Sequence, residues 1–284
     1  MNSILELFGI ASQTLNKTTL KIALKNQVCP FTETTCFKVR KSQSDISIGT
    51  CSVRYGRENK QIVICPNRFL EKHQVFCDCI HLLTNHEPGN EFHVIPEISI
   101  PGGSIDFVLA SVKNGKVRDF VAVEFQTLDT TGTVWPERQR LLHEKGLKVD
   151  PDDIHSEKPF GMNWKMTAKT ILVQMHHKAE TIEHLGKHIV LATQNHLLDY
   201  MQGEFCFGHL SQPGRIGDSV HFHSYSFGEH GENSYVLNLS SRLSTDASGI
   251  ALCLGLQAET KIEMDEMISK LERKISVITR MTVV

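Results

Sequence analysis

The chain has 284 residues, of which 40% are hydrophobic and 22% charged, and its formal net charge is -2. That composition excludes a disordered or fibrous chain and supports a sizeable core, as one large domain or one domain with a small module. No run approaches the ~18 apolar residues of a spanning helix and no signal peptide is recognisable, so no membrane role and a cytoplasmic location are expected.

Residues 1–25 are expected to form an N-terminal helical segment, amphipathic in one helix or two. Residues 1–75 hold eleven Lys and Arg against five Asp and Glu, an excess that suits either a phosphate-following patch or a solvated basic face. Residues 26–66 carry four of the eight cysteines, Cys29, Cys36, Cys51 and Cys65, each beside a turn or strand signal. Disulfides are the weaker reading in a reducing compartment. Four thiolates gathered by a small loop-rich segment suit tetrahedral iron or zinc, although the familiar CxxC spacing is absent. Cys77 and Cys79 fall in a predicted helix over 67–83, where side chains two apart diverge. Cys206 and Cys253 read as small core residues.

Residues 67–284 are expected to form the main domain. It is strand-rich from Phe92 to Gln126, then polar and irregular with some helix to Phe160. A helix is predicted over 164–185, a short strand over 187–192, a helix over 194–201, and strands with loops over 203–240. A closing helix over 259–284 carries Met264, Met267, Ile268, Leu271 and Ile275, a stripe expected to pack in the core. The fold class that follows is α/β, in the sense of a mixed sheet flanked by helices.

The centre of interest is Gly102-Gly-Ser-Ile-Asp106-Phe-Val-Leu-Ala, followed by Asp119-Phe-Val-Ala-Val-Glu124-Phe-Gln126. Two apolar strands with Asn114-Gly115 between them form a hairpin signal. Asp106, Glu124 and Gln126 are polar intrusions in them. Buried charges are costly unless paired or bound to metal. Two readings stay open: a divalent-metal site for phosphodiester cleavage, or a surface hairpin with an acid near each strand end. Geometry separates them. A two-residue loop at Asn114-Gly115 pairs residues whose numbers sum to 229, which turns Asp106 and Glu124 to opposite faces. A shared metal requires an odd loop or a one-residue bulge between Val108 and Phe120, for which Gly115 is suited.

Cys29-Pro-Phe, Cys36, Gly49-Thr-Cys51-Ser-Val and Ile64-Cys65-Pro-Asn-Arg68 resemble, in that order, the N-terminal metal module of the NotI-type restriction endonucleases. Ser104-Ile-Asp106-Phe-Val-Leu and Val123-Glu124-Phe-Gln126-Thr-Leu-Asp129-Thr-Thr-Gly132 resemble that family's version of the PD-(D/E)XK nuclease core. Gly161-Met-Asn163-Trp164 and His223-Ser-Tyr225-Ser-Phe-Gly228 also fit, so the resemblance runs from about residue 25 to 255. It implies a prokaryotic type II restriction enzyme, a homodimer that cuts double-stranded DNA at a GC-rich palindrome, and a structural iron or zinc on the four cysteines. Asp106 and Glu124 would bind Mg2+, and the Phe125 carbonyl could add a ligand. Gln126 stands where the general nuclease signature has lysine. It is neutral and can orient the attacking water but not deprotonate it. Glu97 is either a second-metal acid or a strand-edge acid, and Lys165 and Lys169 are either phosphate contacts or solvated. Arg138, Arg140, Arg215 and Arg242 are available to read guanine. Two other functions remain open, a non-catalytic metal-stabilised DNA-binding protein and a nuclease of repair or modified-DNA type.

Overall fold

A computed structural model describes residues 2–40, 42–156, 159–230, 234–256 and 264–275. The first strands and helices are β1 (Ile4–Leu7), β2 (Ile10–Ala11), α1 (Lys17–Asn26), β3 (Val39–Arg40), β4 (Gln43–Ser47), β5 (Thr50–Tyr55), β6 (Lys60–Val63) and α2 (Gln74–Cys77). The middle of the chain gives β7 (Glu91–Ile100), β8 (Gly103–Lys113), β9 (Lys116–Gln126), β10 (Thr130–Thr131), α3 (Trp135–Glu144), α4 (Pro151–His155) and β11 (Gly161–Met162). Then come α5 (Trp164–His184), β12 (His188–Gln194), α6 (Asn195–Glu204), β13 (Val220–His230), β14 (Ser234–Thr245), α7 (Ala247–Cys253) and α8 (Met264–Glu272).

The central sheet has the order β14-β13-β12-β9-β8-β7. Strand β12 runs parallel to both β9 and β13, and the other neighbours are antiparallel. The central strands are buried on both faces, and alternate residues feed two cores. Ala122, Ile189, Leu191 and Phe222 join Ile171, Leu172 and Met175 of α5 in one core. Val121, Val123, Val190 and Ala192 join Phe69 and Phe76 in the other. Helix α5 buries Ile171, Leu172, Met175, Ala179 and Ile182, the 3.6-residue stripe that its periodicity predicts.

Three expected elements differ. Residues 4–11 are strands rather than helix, because Phe8 and Gly9 both take left-handed backbone (φ 49 and 70) and close a two-residue turn between β1 and β2. The helix then begins at Lys17, where the Asn16 side chain accepts from the Thr18 and Thr19 amides. Strands β1 and β2 join β5 and β6 in one four-stranded sheet, so the N-terminal segment and the cysteine segment share a structure. Over 67–83 the single helix is replaced by 3-10 turns around the short α2, because Lys72 and His73 are left-handed (φ 51 and 54). Helix α8 does form, but its stripe is exposed: Met264 is 71% accessible and Leu271 54%. Apolar periodicity identifies a face but not what the face packs on. The rest of the predicted 259–284 helix lies outside the described residues, except for the turn at 273–275.

Candidate active site

The hairpin meets the register requirement through two features. Asn114 and Gly115 form a two-residue turn with both residues left-handed (φ 53 and 72). Lys113 pairs Lys116 and Val112 pairs Val117, but Ser111 pairs Asp119, which leaves Arg118 as the extra residue of a β-bulge. Beyond the bulge Phe107 pairs Val123. Asp106 and Glu124 therefore oppose each other on one face, the face that α5 covers. Gly115 serves the turn and is not the bulge residue.

The Phe125 amide donates to Asp106 Oδ2 at 2.8 Å. Glu124 is 3% exposed. Its Oε1 lies 2.8 Å from Lys178 Nζ on α5. Burial first, and then repulsion from Asp106, pushes the Glu124 carboxyl up to about 7. Asp106 is also raised, chiefly by burial and in part by Glu97. Gln126 shares the face, and its Nε2 donates to the Thr127 carbonyl at 2.6 Å. These groups, with Gly102, Gly103, Ser104, Ile171 and Gln174, line a pocket of about 390 Å³. Two mutually repelling carboxyls lining one pocket fit Mg2+, which takes one or two protein carboxylates besides water and phosphate.

The pocket depends on a close approach. The turn at Pro101-Gly102 lies against α5, and the Thr181 hydroxyl donates to the Pro101 carbonyl at 3.0 Å. Gly102 has φ +95, and a Cβ there would stand 2.3 Å from the His177 carbonyl oxygen. Only glycine permits that contact.

Other candidate residues fall elsewhere. Glu97 lies opposite Asp106 in the β7–β8 register and has left-handed backbone (φ 52), but its side chain is exposed. Lys165 and Lys169 are exposed on α5 away from the pocket lining. Arg138 is buried, donates to the Ile48 and Ser47 carbonyls and stacks on Trp135. Arg140 is held by Glu137 and by the Ile154 and Ser156 carbonyls. Arg242 reaches the Asp78 carbonyl beside buried histidines. Of the four arginines only Arg215 is exposed. Lys178 was the residue missed. Its signal was available: it falls in the α5 stripe 171, 175, 178, 182, where a solvated lysine has no place.

The four module cysteines are all buried. Burial raises the Cys51 and Cys65 thiols, and Cys51 and Cys65 are each disfavoured as thiolates by neighbouring cysteines, among them Cys29. A gathered thiol set of this kind suits a thiophilic cation in its chemistry. In its geometry it is not a ready ligand cluster, since no group of three or more His, Cys, Asp or Glu among the described residues is arranged to hold a metal ion. Cys79 is buried and Cys206 is exposed, the latter against the expectation of a core residue.

The family model described as Restriction endonuclease NotI matches residues 15–206, about two thirds of the chain. The chain belongs to the NotI restriction endonuclease family. The match spans the four module cysteines, the facing carboxylates and Lys178. Among curated proteins none matches. Membership makes the protein a restriction endonuclease that acts on DNA, a class of enzyme that usually needs a divalent metal. No described helix is long and apolar enough to cross a membrane.

Proposed function

We propose that this NotI-family protein is a type II enzyme of the PD-(D/E)XK kind that hydrolyses duplex DNA at a GC-rich palindrome with Mg2+. The observation that carries the reading is the Arg118 bulge, which sets Asp106 against Glu124 on one face of the sheet. A regular two-residue hairpin would have separated them.

Asp106 and Glu124 are the residues that would hold Mg2+, with the Phe125 carbonyl beside them. When bound, Mg2+ supplies charge to the phosphoryl oxygens and favours ionisation of water. Asp106 is oriented by the Phe125 amide, so its second oxygen is available to the pocket. Gln126 positions the attacking water through its side-chain amide. A palindromic target calls for a two-fold homodimer with one active site per strand. The cysteine segment is proposed to carry a structural iron or zinc on Cys29, Cys36, Cys51 and Cys65.

Asp106→Ala and Glu124→Ala should each lower cleavage of phage DNA by at least ~1,000-fold in Mg2+ while specific binding in Ca2+ survives in a gel-shift assay. Substantial cutting by either folded variant would remove the assignment. Mapping the cleaved ends on a sequenced plasmid tests the palindrome.

A further inference from the structure

Lys178 is in the wrong place for an ordinary lysine. It is 5% exposed and sits among Ile171, Met175 and Ile182, all almost fully buried. Removing an ammonium from water is costly, and a buried ion pair seldom repays that cost in stability. The turn before β8 packs against α5: Gly102 lets the β7–β8 turn come against the His177 carbonyl, and Gly103 lies beside Lys178 Cε. The ammonium thus reaches Glu124 at 2.8 Å and lies in the same pocket as Asp106 and Gln126. The ammonium lowers the Glu124 carboxyl against the effect of burial, both by its charge and by its hydrogen bond. It occupies the side of Glu124 that another cation could take over.

We infer that Lys178 is a catalytic residue, delivering from helix α5 the positive charge at the scissile phosphate that neutral Gln126 does not provide from strand β9. The inference rests on the proposed hydrolase reading of Asp106 and Glu124. In the free protein Lys178 balances Glu124. With Asp106 and Glu124 holding a divalent cation, Lys178 would be free to offer its ammonium to a non-bridging oxygen of the phosphodiester. In hydrolysis the water oxygen bonds to phosphorus and the P–O3′ bond breaks. The water releases one proton to solvent and O3′ takes one up, so no co-reactant is consumed. The Lys178 side chain offsets charge on the phosphoryl oxygens as the transition state forms.

Lys178→Met and Lys178→Gln test this by single-turnover cleavage in Mg2+, with Ca2+ gel shifts and thermal melting beside it. Two neutral side chains of different polarity are used so that at least one variant folds as the wild type does. The expected result is a loss of about 100-fold or more in cleavage rate with specific binding retained. Adding Gln126→Lys to the folded neutral variant, which moves the charge from helix to strand, should recover tenfold or more. A folded neutral variant that cuts within threefold of wild type overturns the inference, and so does a double variant no faster than its parent. Neither result touches the assignment of Asp106 and Glu124, which fails separately if their alanine variants cut.

Discussion

Arg68 is 1% exposed and is held from three directions. Its Nε lies 3.1 Å from both Glu6 oxygens, Nη1 2.6 Å from Glu71, and Nη2 donates to the Tyr235 carbonyl at 2.7 Å. Glu6 is 2% exposed, and its carboxyl is raised by burial despite the guanidinium beside it. Removing one partner of such a pair leaves a buried charge uncompensated. Arg68→Met should therefore cost about 3–5 kcal/mol at pH 8, read from urea denaturation. Arg68→Met with Glu6→Leu should be more stable than the single variant. If the two changes prove additive, the clamp is not the cause. Nothing in Pro66-Asn-Arg68 distinguished this arginine from a solvated one, and nothing distinguished Lys178 from Lys165 except its place in the apolar stripe. Asp106 and Glu124 were legible because carboxylates in apolar strands are conspicuous one at a time. Arg68 and Lys178 take their meaning from partners 62 and 54 positions away in the chain.

At the scale of elements, the β8–β9 hairpin was largely legible by arithmetic. Parity required an inserted residue, though not that it would be Arg118. The helices were legible where the apolar period was sustained, as in α5, and illegible where two left-handed residues broke the chain, as at Lys72-His73. The close contact at Gly102 yields a prediction of its own. Gly102→Ala places a Cβ against the His177 carbonyl at a backbone conformation alanine avoids, so the β7–β8 turn must move off α5. We expect a loss of about 1–3 kcal/mol in melting experiments, with cleavage reduced further than stability because Lys178 and Glu124 are drawn apart. Unchanged cleavage would show that the turn does not set that distance.

The buried histidines of β13 give the pH dependence. Burial first, then His188, holds His221 down to about 4, and burial first, then Arg242, holds His223 down to about 3. Cys79 and His81 face them from the 67–83 segment, Arg242 from β14, His188 from β12, and the Asp218 carbonyl from the loop before β13. Both are ordinary histidines near 6.5 in the unfolded chain. Between pH 6.5 and about 4 the unfolded chain therefore binds more protons, and stability falls as pH falls. Each site contributes up to about 1.4 kcal/mol per pH unit. His223→Leu should flatten the unfolding free energy against pH over that window by about one proton. An unchanged slope would assign the acid sensitivity elsewhere.

The cysteine segment is tied to the central sheet at whole-molecule scale. The Gln194 side chain, at the end of β12, accepts from the Val63 amide at 3.0 Å and donates to the Gln61 carbonyl at 2.6 Å. Arg138 holds the Ile48 carbonyl at 2.7 Å, and Arg68 joins Glu6 to Tyr235. Strands β1 and β2 complete the sheet to which β5 and β6 belong. If one iron or zinc is bound by Cys29, Cys36, Cys51 and Cys65, its binding free energy is folding free energy for everything so tied. Cys51→Ser or Cys65→Ser should then lose the metal in elemental analysis and lower the melting temperature of the entire chain in a single transition. Cys206→Ser, at an exposed position, should change neither. Cys79→Ser should keep the metal but lose stability, because its thiol is fully buried beside His223. A metal-free preparation that is as stable and active as the wild type would show that the four thiols are packing residues only.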